Sequence, residues 1–378
     1  MTVFHLIKTS KGATWAIEMF KEQKRIYPNI KIVVALPKGG KHFNEYLEIC
    51  DQVFELEYSL NARILNNGFK LRKFIRLIEP DLIHSWFTQT TLYARIFLRD
   101  FQIPRVFQVV GPAHLDNKLF KFFDIYSANK QDFWIATSKF IKKQYLKSGV
   151  DEKKIFLNYA YINIDKILAL KDKTEPINYH KDLNLPSNTI VLGTASYIYP
   201  PKFYQKNGIK AHEQLIKGFS ILSKTRDDIV LVIAGESFVN DSHYLLKLKK
   251  MADTMCPGKI FFTGGYKNVF RVIGKFDIFI YLSKMENLGG VFESLIGEIP
   301  TVSSNSGGLP ELIIHGFTGL TSDYDDIKGI NDNLTYLLKN PDVKERFVKN
   351  GFKHVLKTLN SSKMVENTKR IYDTVCFN

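Results

Sequence analysis

Chemistry-bearing residues crowd one stretch of this chain, YLSKMENLGGVFESLIGEIPTVSSNSGGLPELIIHGFTGL, from Tyr281 to Leu320. An apolar run ends at Leu282, and a turn carrying Glu286, Asn287, Gly289 and Gly290 precedes apolar residues at helical spacing. Adjacent glycines at a helix mouth let a ligand approach the backbone, and the free N–H groups with the helix dipole suit a phosphate or sugar oxygen. Glu293, one turn inside that helix, offers a carboxylate that can accept hydrogen bonds from two vicinal hydroxyls, as a ribose presents. On spacing alone, the same residues also fit a solvated strand-to-helix turn. A second apolar run, Thr301–Ser303, leads into Asn305, Ser306, Gly307, Gly308, Leu309, Pro310 and Glu311. Proline after a glycine pair is a helix-start signal, so a second glycine mouth lies beside the first.

Such mouths need strands to deliver them. Short β-branched or aromatic runs (Val3–Ile7, Ile30–Leu36, Val53–Leu56, Leu82–Ser85, Arg105–Val110, Phe133–Thr137, Ile155–Tyr159) alternate with helical spacing over Thr14–Arg25, Gly68–Ile78, Thr90–Asp100 and Ser138–Ser148. That alternation predicts right-handed crossovers and a mostly parallel sheet covered on both faces. A polar stretch with two prolines, from Leu168 to Ser187, breaks the pattern and reads as an interdomain connection. The alternation restarts at Ile190–Ala195. The expected organisation is therefore α/β, with residues 1–170 and 188–378 forming two Rossmann-like domains, 171–187 joining them, and the last helix packing back on the first domain. The working cleft is expected where the two halves face each other, at the carboxyl ends of the strands.

Composition narrows the partners. There are 53 Lys+Arg against 38 Asp+Glu, a net charge of +15, and residues 1–170 hold 26 basic and 16 acidic side chains against 27 and 22 in the remainder. Nucleic acid, an anionic membrane face or phosphorylated small molecules are the partners this excess suits. Cys50, Cys256 and Cys376 lie far apart with no CxxC pairing, which indicates neither a disulfide framework nor a zinc site and fits a reducing cytosol. The N-terminal apolar run is short and reads as a buried strand rather than a signal peptide, and no window approaches a spanning length.

The run ENLGGVFESLIGEIPTVSSNSGGLPELIIHGFTGL resembles the signature of the retaining, nucleotide-sugar-dependent glycosyltransferases of family four (glycosyl transferases group 1), whose GT-B fold has two facing Rossmann-like domains. TSKGATWA (from Thr9), DLIHSW (from Asp81), WIATSKFIKKQYLKSGV (from Trp134), GIKAHEQLIKGF (from Gly208) and FFTGGY (from Phe261) resemble further family segments in family order. The first supplies Gly12 to a glycine-rich loop, and the last supplies Gly264 to a loop expected near the base. By this resemblance Glu286 is the first glutamate of an acidic pair and holds the donor sugar's hydroxyls. Glu293 is the second and holds the ribose. The family puts seven residues between them and this chain has six, one residue being absent from the glycine turn; the distance from Glu293 to Pro300 matches the family, and Ser294 cannot make the same bidentate contact. Asn287, Gly289 and Gly290 complete the donor turn. Lys210 matches the lysine that neutralises the diphosphate, with Ala211 where glycine is usual. Tyr197 stands where an arginine is usual, and Lys202 or Lys206 is the expected source of the second positive charge.

No Asp-x-Asp pair occupies a suitable loop, so the resemblance implies a metal-independent reaction without cofactor, in which Lys and helix N-termini meet the leaving diphosphate. The family's usual strand-end histidine is replaced by Val110, and His114, four residues on, is the candidate to touch the sugar or its leaving group. His84 reads as structural. GFKLRKFIRLI (from Gly68) and KLFKFF (from Lys118) interleave basic with large apolar residues, which suits the headgroup layer of an anionic membrane as well as an amphipathic core helix.

The expected function is transfer of a hexose or hexosamine from a nucleotide diphosphate sugar, with UDP the expected nucleotide, to a lipid-diphosphate-linked or glycan acceptor in bacterial capsule or O-antigen synthesis. The expected place is the cytoplasm, peripheral on the inner face of the membrane. One rival is a UDP-N-acetylhexosamine epimerase of the same fold, which needs extra carboxylates for proton transfer. A basic nucleic-acid-binding protein is the other, and the donor signature argues against nucleic acid as partner.

Overall fold

The computed structural model describes residues 1–111, 113–116, 118–201, 207–238 and 242–377. The chain divides into two compact units, Met1–Ile164 with Leu359–Asn378, and Asp165–Thr358.

The first unit holds seven strands, β1 (Thr2–Leu6), β2 (Lys31–Leu36), β3 (Gln52–Glu55), β4 (Leu82–Ser85), β5 (Arg105–Val109), β6 (Asp132–Ala136) and β7 (Ile155–Leu157). They pair in the order 3-2-1-4-5-6-7 with every neighbour parallel. The second unit repeats the plan with β8 (Ile190–Ala195), β9 (Ile229–Ala234), β10 (Ile260–Gly264), β11 (Ile278–Tyr281), β12 (Thr301–Ser304) and β13 (Leu320–Ser322), again all parallel, in the order 10-9-8-11-12-13. Strands such as β9, IVLVIA, are apolar and buried at every position because helices cover both faces of the sheet. Each fully buried side chain in the second core, Phe219, Leu231 and Ile280 among them, contributes about 1.5–3 kcal/mol.

In each sheet the strand order reverses beside the first strand, between β1 and β4 and between β8 and β11. At that point adjacent loops leave the carboxyl ends of the strands in opposite directions, which opens a crevice for a ligand. The helices entered there, Thr14–Ile26 and His212–Leu222, both start after an alanine in left-handed conformation, Ala13 at φ 60° and Ala211 at φ 48°, with no side-chain cap. A left-handed alanine costs roughly 1–2 kcal/mol, which explains why glycine is the usual occupant at the second of these positions.

Several expected bounds shift. The helix expected at Gly68–Ile78 begins four residues earlier, at Ile64. The connection expected at 171–187 is neither a free linker nor outside the domains. It contains the end of the helix Ile164–Asp172 and a helical turn Tyr179–Asp182, and it lies in the second unit. Buried Tyr179 explains the docking: it donates its hydroxyl to the Val272 carbonyl at 2.9 Å, and the Ile177 N–H bonds the Arg271 carbonyl at 2.7 Å. The last helix, Ser361–Phe377, belongs to the first unit, where Asn158 Nδ2 donates to the Met364 carbonyl (2.9 Å) and to Thr368 Oγ1 (2.8 Å). Among the described residues, no helix is long and apolar enough to cross a membrane.

Candidate functional site

The strand reversal in the second unit brings the loop after β8 against the loop after β11, although they are more than seventy residues apart in sequence. The Ile209 carbonyl accepts from the Lys284 N–H at 2.8 Å and from Ser283 Oγ at 3.2 Å. Lys210 thereby forms an ion pair with Glu286, and its Nζ also donates to the Tyr281 hydroxyl at 2.7 Å. With three N–H donors on the ammonium, one remains for a ligand. A second lacing joins the loop after β11 to the loop after β12. The Ser283 N–H donates to Ser304 Oγ at 3.0 Å, Ser304 Oγ returns a bond to the Ser283 carbonyl at 2.9 Å, and the Gly308 N–H donates to the Glu286 carbonyl at 3.1 Å. Gly307, at φ 63°, passes so near that a Cβ there would fall 2.0 Å from the Glu286 carbonyl oxygen. The second glycine mouth therefore seats Glu286.

Gly290 caps the helix Val291–Ile296, and Glu293 sits in its first turn. The Glu293 carboxylate folds back over the mouth, where a Cβ on Gly290 would be 3.1 Å from its Oε2. Burial pushes its carboxyl up to about 7. Gly289, at φ 56°, has a steric reason besides ligand approach, since a Cβ there would meet the Tyr281 ring at 2.6 Å. The Asn287 N–H bonds Glu286 Oε1 at 3.2 Å.

Gly264 ends β10 with φ 76°, and its carbonyl accepts from the Gly235 N–H at 2.8 Å. Just beyond it lies a cavity of about 60 Å³ lined by Tyr197, Gly235, Glu236, Gly265 and Tyr266. Tyr197, which stands where an arginine is usual in the family, packs edge-on to Phe238 with ring centroids 5.7 Å apart. Lys202 and Lys206 lie outside the described residues.

Gly12 and His114 lie in the first unit. Gly12 is in the loop between β1 and the helix Thr14–Ile26, and space for a side chain is open around it. Buried Ser10, which the sequence reading passed over, fixes that loop by donating to the Pro37 carbonyl at 2.6 Å and accepting from the Gly40 N–H at 3.1 Å. His114 Nε2 is bonded to Asp124 Oδ2 and to the Tyr145 hydroxyl, both at 2.8 Å. Asp124 also takes Arg95 Nη1 at 2.7 Å and Trp134 Nε1 at 3.3 Å. The charged and hydrogen-bonding partners hold its carboxyl down at about 2 against the opposing effect of burial. His84 is fully buried, with Nδ1 2.6 Å from the Tyr372 hydroxyl. The sequence reading also missed Tyr281, Ser283 and Ser304. Only the serine run at 303–304 signalled them, and in sequence it reads as an ordinary strand exit.

Among the described residues, no group of three His, Cys, Asp or Glu side chains is placed to hold a metal ion. Two doubly wound parallel-sheet units, with a charged crevice at the second one's strand reversal, define the class as GT-B. Residues 26–166 match the family described as Glycosyltransferase Family 4, and residues 186–354 match Glycosyl transferases group 1. The chain belongs to this glycosyltransferase family. It is 24% identical to the capsular polysaccharide biosynthesis glycosyltransferase CapM of Staphylococcus aureus, covering 98% of this chain and 97% of that one. Among solved structures, a glycosyltransferase from Rickettsia africae superposes with a TM-score of 0.80 at 17% identity over 100% and 99% of the two chains. Anabaena HepE in complex with UDP does so with 0.80 at 15% identity over 99% and 100%.

Proposed function

We propose that this glycosyltransferase moves a hexose or hexosamine from a UDP-sugar, with retention and without a metal ion, to a glycan or lipid-diphosphate-linked acceptor in bacterial surface-polysaccharide assembly. The observation that carries the reading is the Lys210 ammonium, paired with Glu286 and with one N–H to spare, beside the mouth of the Val291–Ile296 helix. A leaving diphosphate at that point meets a positive charge and free backbone N–H groups. Glu286 takes the sugar hydroxyls and Glu293 the ribose, with Gly289, Gly290, Asn287 and Gly264 shaping the donor seat. Lys202 or Lys206 adds charge to the diphosphate. The proposed reaction is front-face: the sugar–phosphate bond breaks, the acceptor oxygen bonds the same face of the anomeric carbon, and the departing phosphate oxygen takes the acceptor's proton. The UDP-bound neighbour and the capsular relative support the donor and the setting.

His114 is assigned to the catalytic set, touching the sugar or its leaving group, and Gly12 to donor binding. With Nε2 engaged, His114 has only Nδ1 to offer a ligand. The helix Lys118–Tyr126 supports a place at the cytoplasmic membrane face: Leu119 is 61% exposed, Phe122 54% and Tyr126 72%, with Lys118 and Lys121 among them. Its one buried residue, Asp124, ties it down. Apolar rings between lysines suit an anionic headgroup layer.

Thermal-shift and calorimetric titration with UDP-, GDP- and ADP-sugars tests the donor, with stabilisation by the UDP series alone expected. Lys210→Ala and Glu286→Ala each reduce turnover by about 100-fold or more, while wild-type turnover in either removes the assignment. Epimer formation from UDP-N-acetylhexosamine without acceptor overturns transfer, and a trapped glycosyl-enzyme overturns the front-face route. Pelleting with phosphatidylglycerol vesicles but not phosphatidylcholine vesicles is expected, and its loss on Phe122→Ser with Tyr126→Ser locates the contact.

A further inference from the structure

Tyr281 ends β11 directly beneath the shortened glycine turn, and its side chain is buried. Its hydroxyl lies 2.7 Å from Lys210 Nζ and 3.1 Å from Glu286 Oε2. A phenol has one proton and two lone pairs. The Lys210 ammonium is a donor only and takes a lone pair, so the hydroxyl proton points to Glu286 Oε2. The ring is used as fully as the hydroxyl. Lys210 Nζ stands 4.9 Å from its centroid, in cation–π range. Cβ atoms on Gly289 and Gly290 would fall 2.6 Å from Cε1 and 3.3 Å from Cε2, so the two glycines straddle the ring edges. A turn one residue shorter than the family's thus closes against an aromatic ring.

We propose that Tyr281 is a positioning residue of the donor site: its hydroxyl holds the Lys210 ammonium and the Glu286 carboxylate in register, and its ring supports the turn that carries Gly289 and Gly290. This rests on Lys210 meeting the donor's diphosphate, as proposed above. Tyr281 does not touch the ligand; it restricts where the lysine can point. Without the hydroxyl, Lys210 leans wholly on Glu286, and the N–H aimed at the phosphate is no longer fixed.

Tyr281→Phe keeps the ring and removes the hydroxyl. Calorimetry with UDP and with uridine separates positioning of Lys210 from general damage, because uridine has no phosphate. The expected result is an increase of about tenfold in the UDP Kd and an unchanged uridine Kd. Adding Tyr281→Phe to Lys210→Ala is expected to cost UDP less than about a further twofold, because the two residues act through one ammonium. If Lys210→Ala loses UDP while Tyr281→Phe stays within about twofold of wild type, the positioning role falls and the donor site stands. Equal losses for UDP and uridine, or additive losses in the double variant, reduce Tyr281 to packing and also overturn it. Should Lys210→Ala bind UDP normally, the donor assignment itself fails, and this inference with it.

Discussion

Burial holds the Glu293 carboxyl up at about 7, so its charge changes near neutrality. Ribose hydroxyls donate, and they need the ionised form as acceptor. The affinity for UDP-glucose, whose diphosphate does not titrate near neutrality, is therefore expected to weaken as pH falls below about 7, by up to about tenfold per pH unit. Glu293→Gln removes that slope. An identical slope in the variant, measured by calorimetry between pH 6 and 8, contradicts the ribose role. Glu293→Ala keeps the fold and loses most of the affinity for the donor. At this scale the sequence was informative where residue type decides chemistry: Glu286, Glu293 and Lys210 could be named from motif and spacing. Tyr281 could not, because a tyrosine at the end of an apolar run reads as core, and its hydroxyl partner Lys210 comes from a loop more than seventy residues earlier.

The loops after β8, β11 and β12 act as one laced element. Gly307 is its tightest stitch, where backbone passes backbone. Gly307→Ala forces an L residue to φ 63° and drives a Cβ into the Glu286 carbonyl, a cost of about 2–4 kcal/mol that the loop can escape only by moving Glu286. Donor turnover is expected to fall at least tenfold, with the unfolding midpoint lowered. A variant that loses stability but keeps full turnover, measured by denaturant titration beside a UDP-release assay, argues that Glu286 is seated otherwise. The strand-to-helix alternation was legible because a buried parallel strand is apolar throughout and a crossover helix is periodic. Bounds drifted where caps gave no signal, as at Ile64, which enters its helix without a side-chain cap. The connection at 171–187 looked free because its composition is polar, yet buried Tyr179 and the Ile177 N–H dock it.

At the scale of the molecule, three imidazoles among the described residues, His5, His84 and His212, are fully buried, which favours their neutral form. Burial lowers His5 to about 3 and His212 to about 4, and it drives His84 well below its ordinary value. A histidine lowered on folding takes up protons on unfolding, so it removes stability as pH drops from its unfolded value of 6.5 toward those folded values. Glu293 has the opposite sign, because its raised carboxyl loses stability as pH rises from 4.5 toward about 7. Denaturant midpoints of Glu293→Gln are therefore expected to fall steadily from pH 6.5 to 5, whereas a flat midpoint contradicts neutral burial of the imidazoles. By itself the sequence determined the class of fold, two rounds of strand and helix, and the residue types of the loop proposed to bind the diphosphate, because periodicity and glycine placement are local properties. Only the tertiary structure decided which loops meet. Strand order, 10-9-8-11-12-13, sets Lys210 against Glu286 and Tyr281, and it follows from how whole strands pair, which no local window contains.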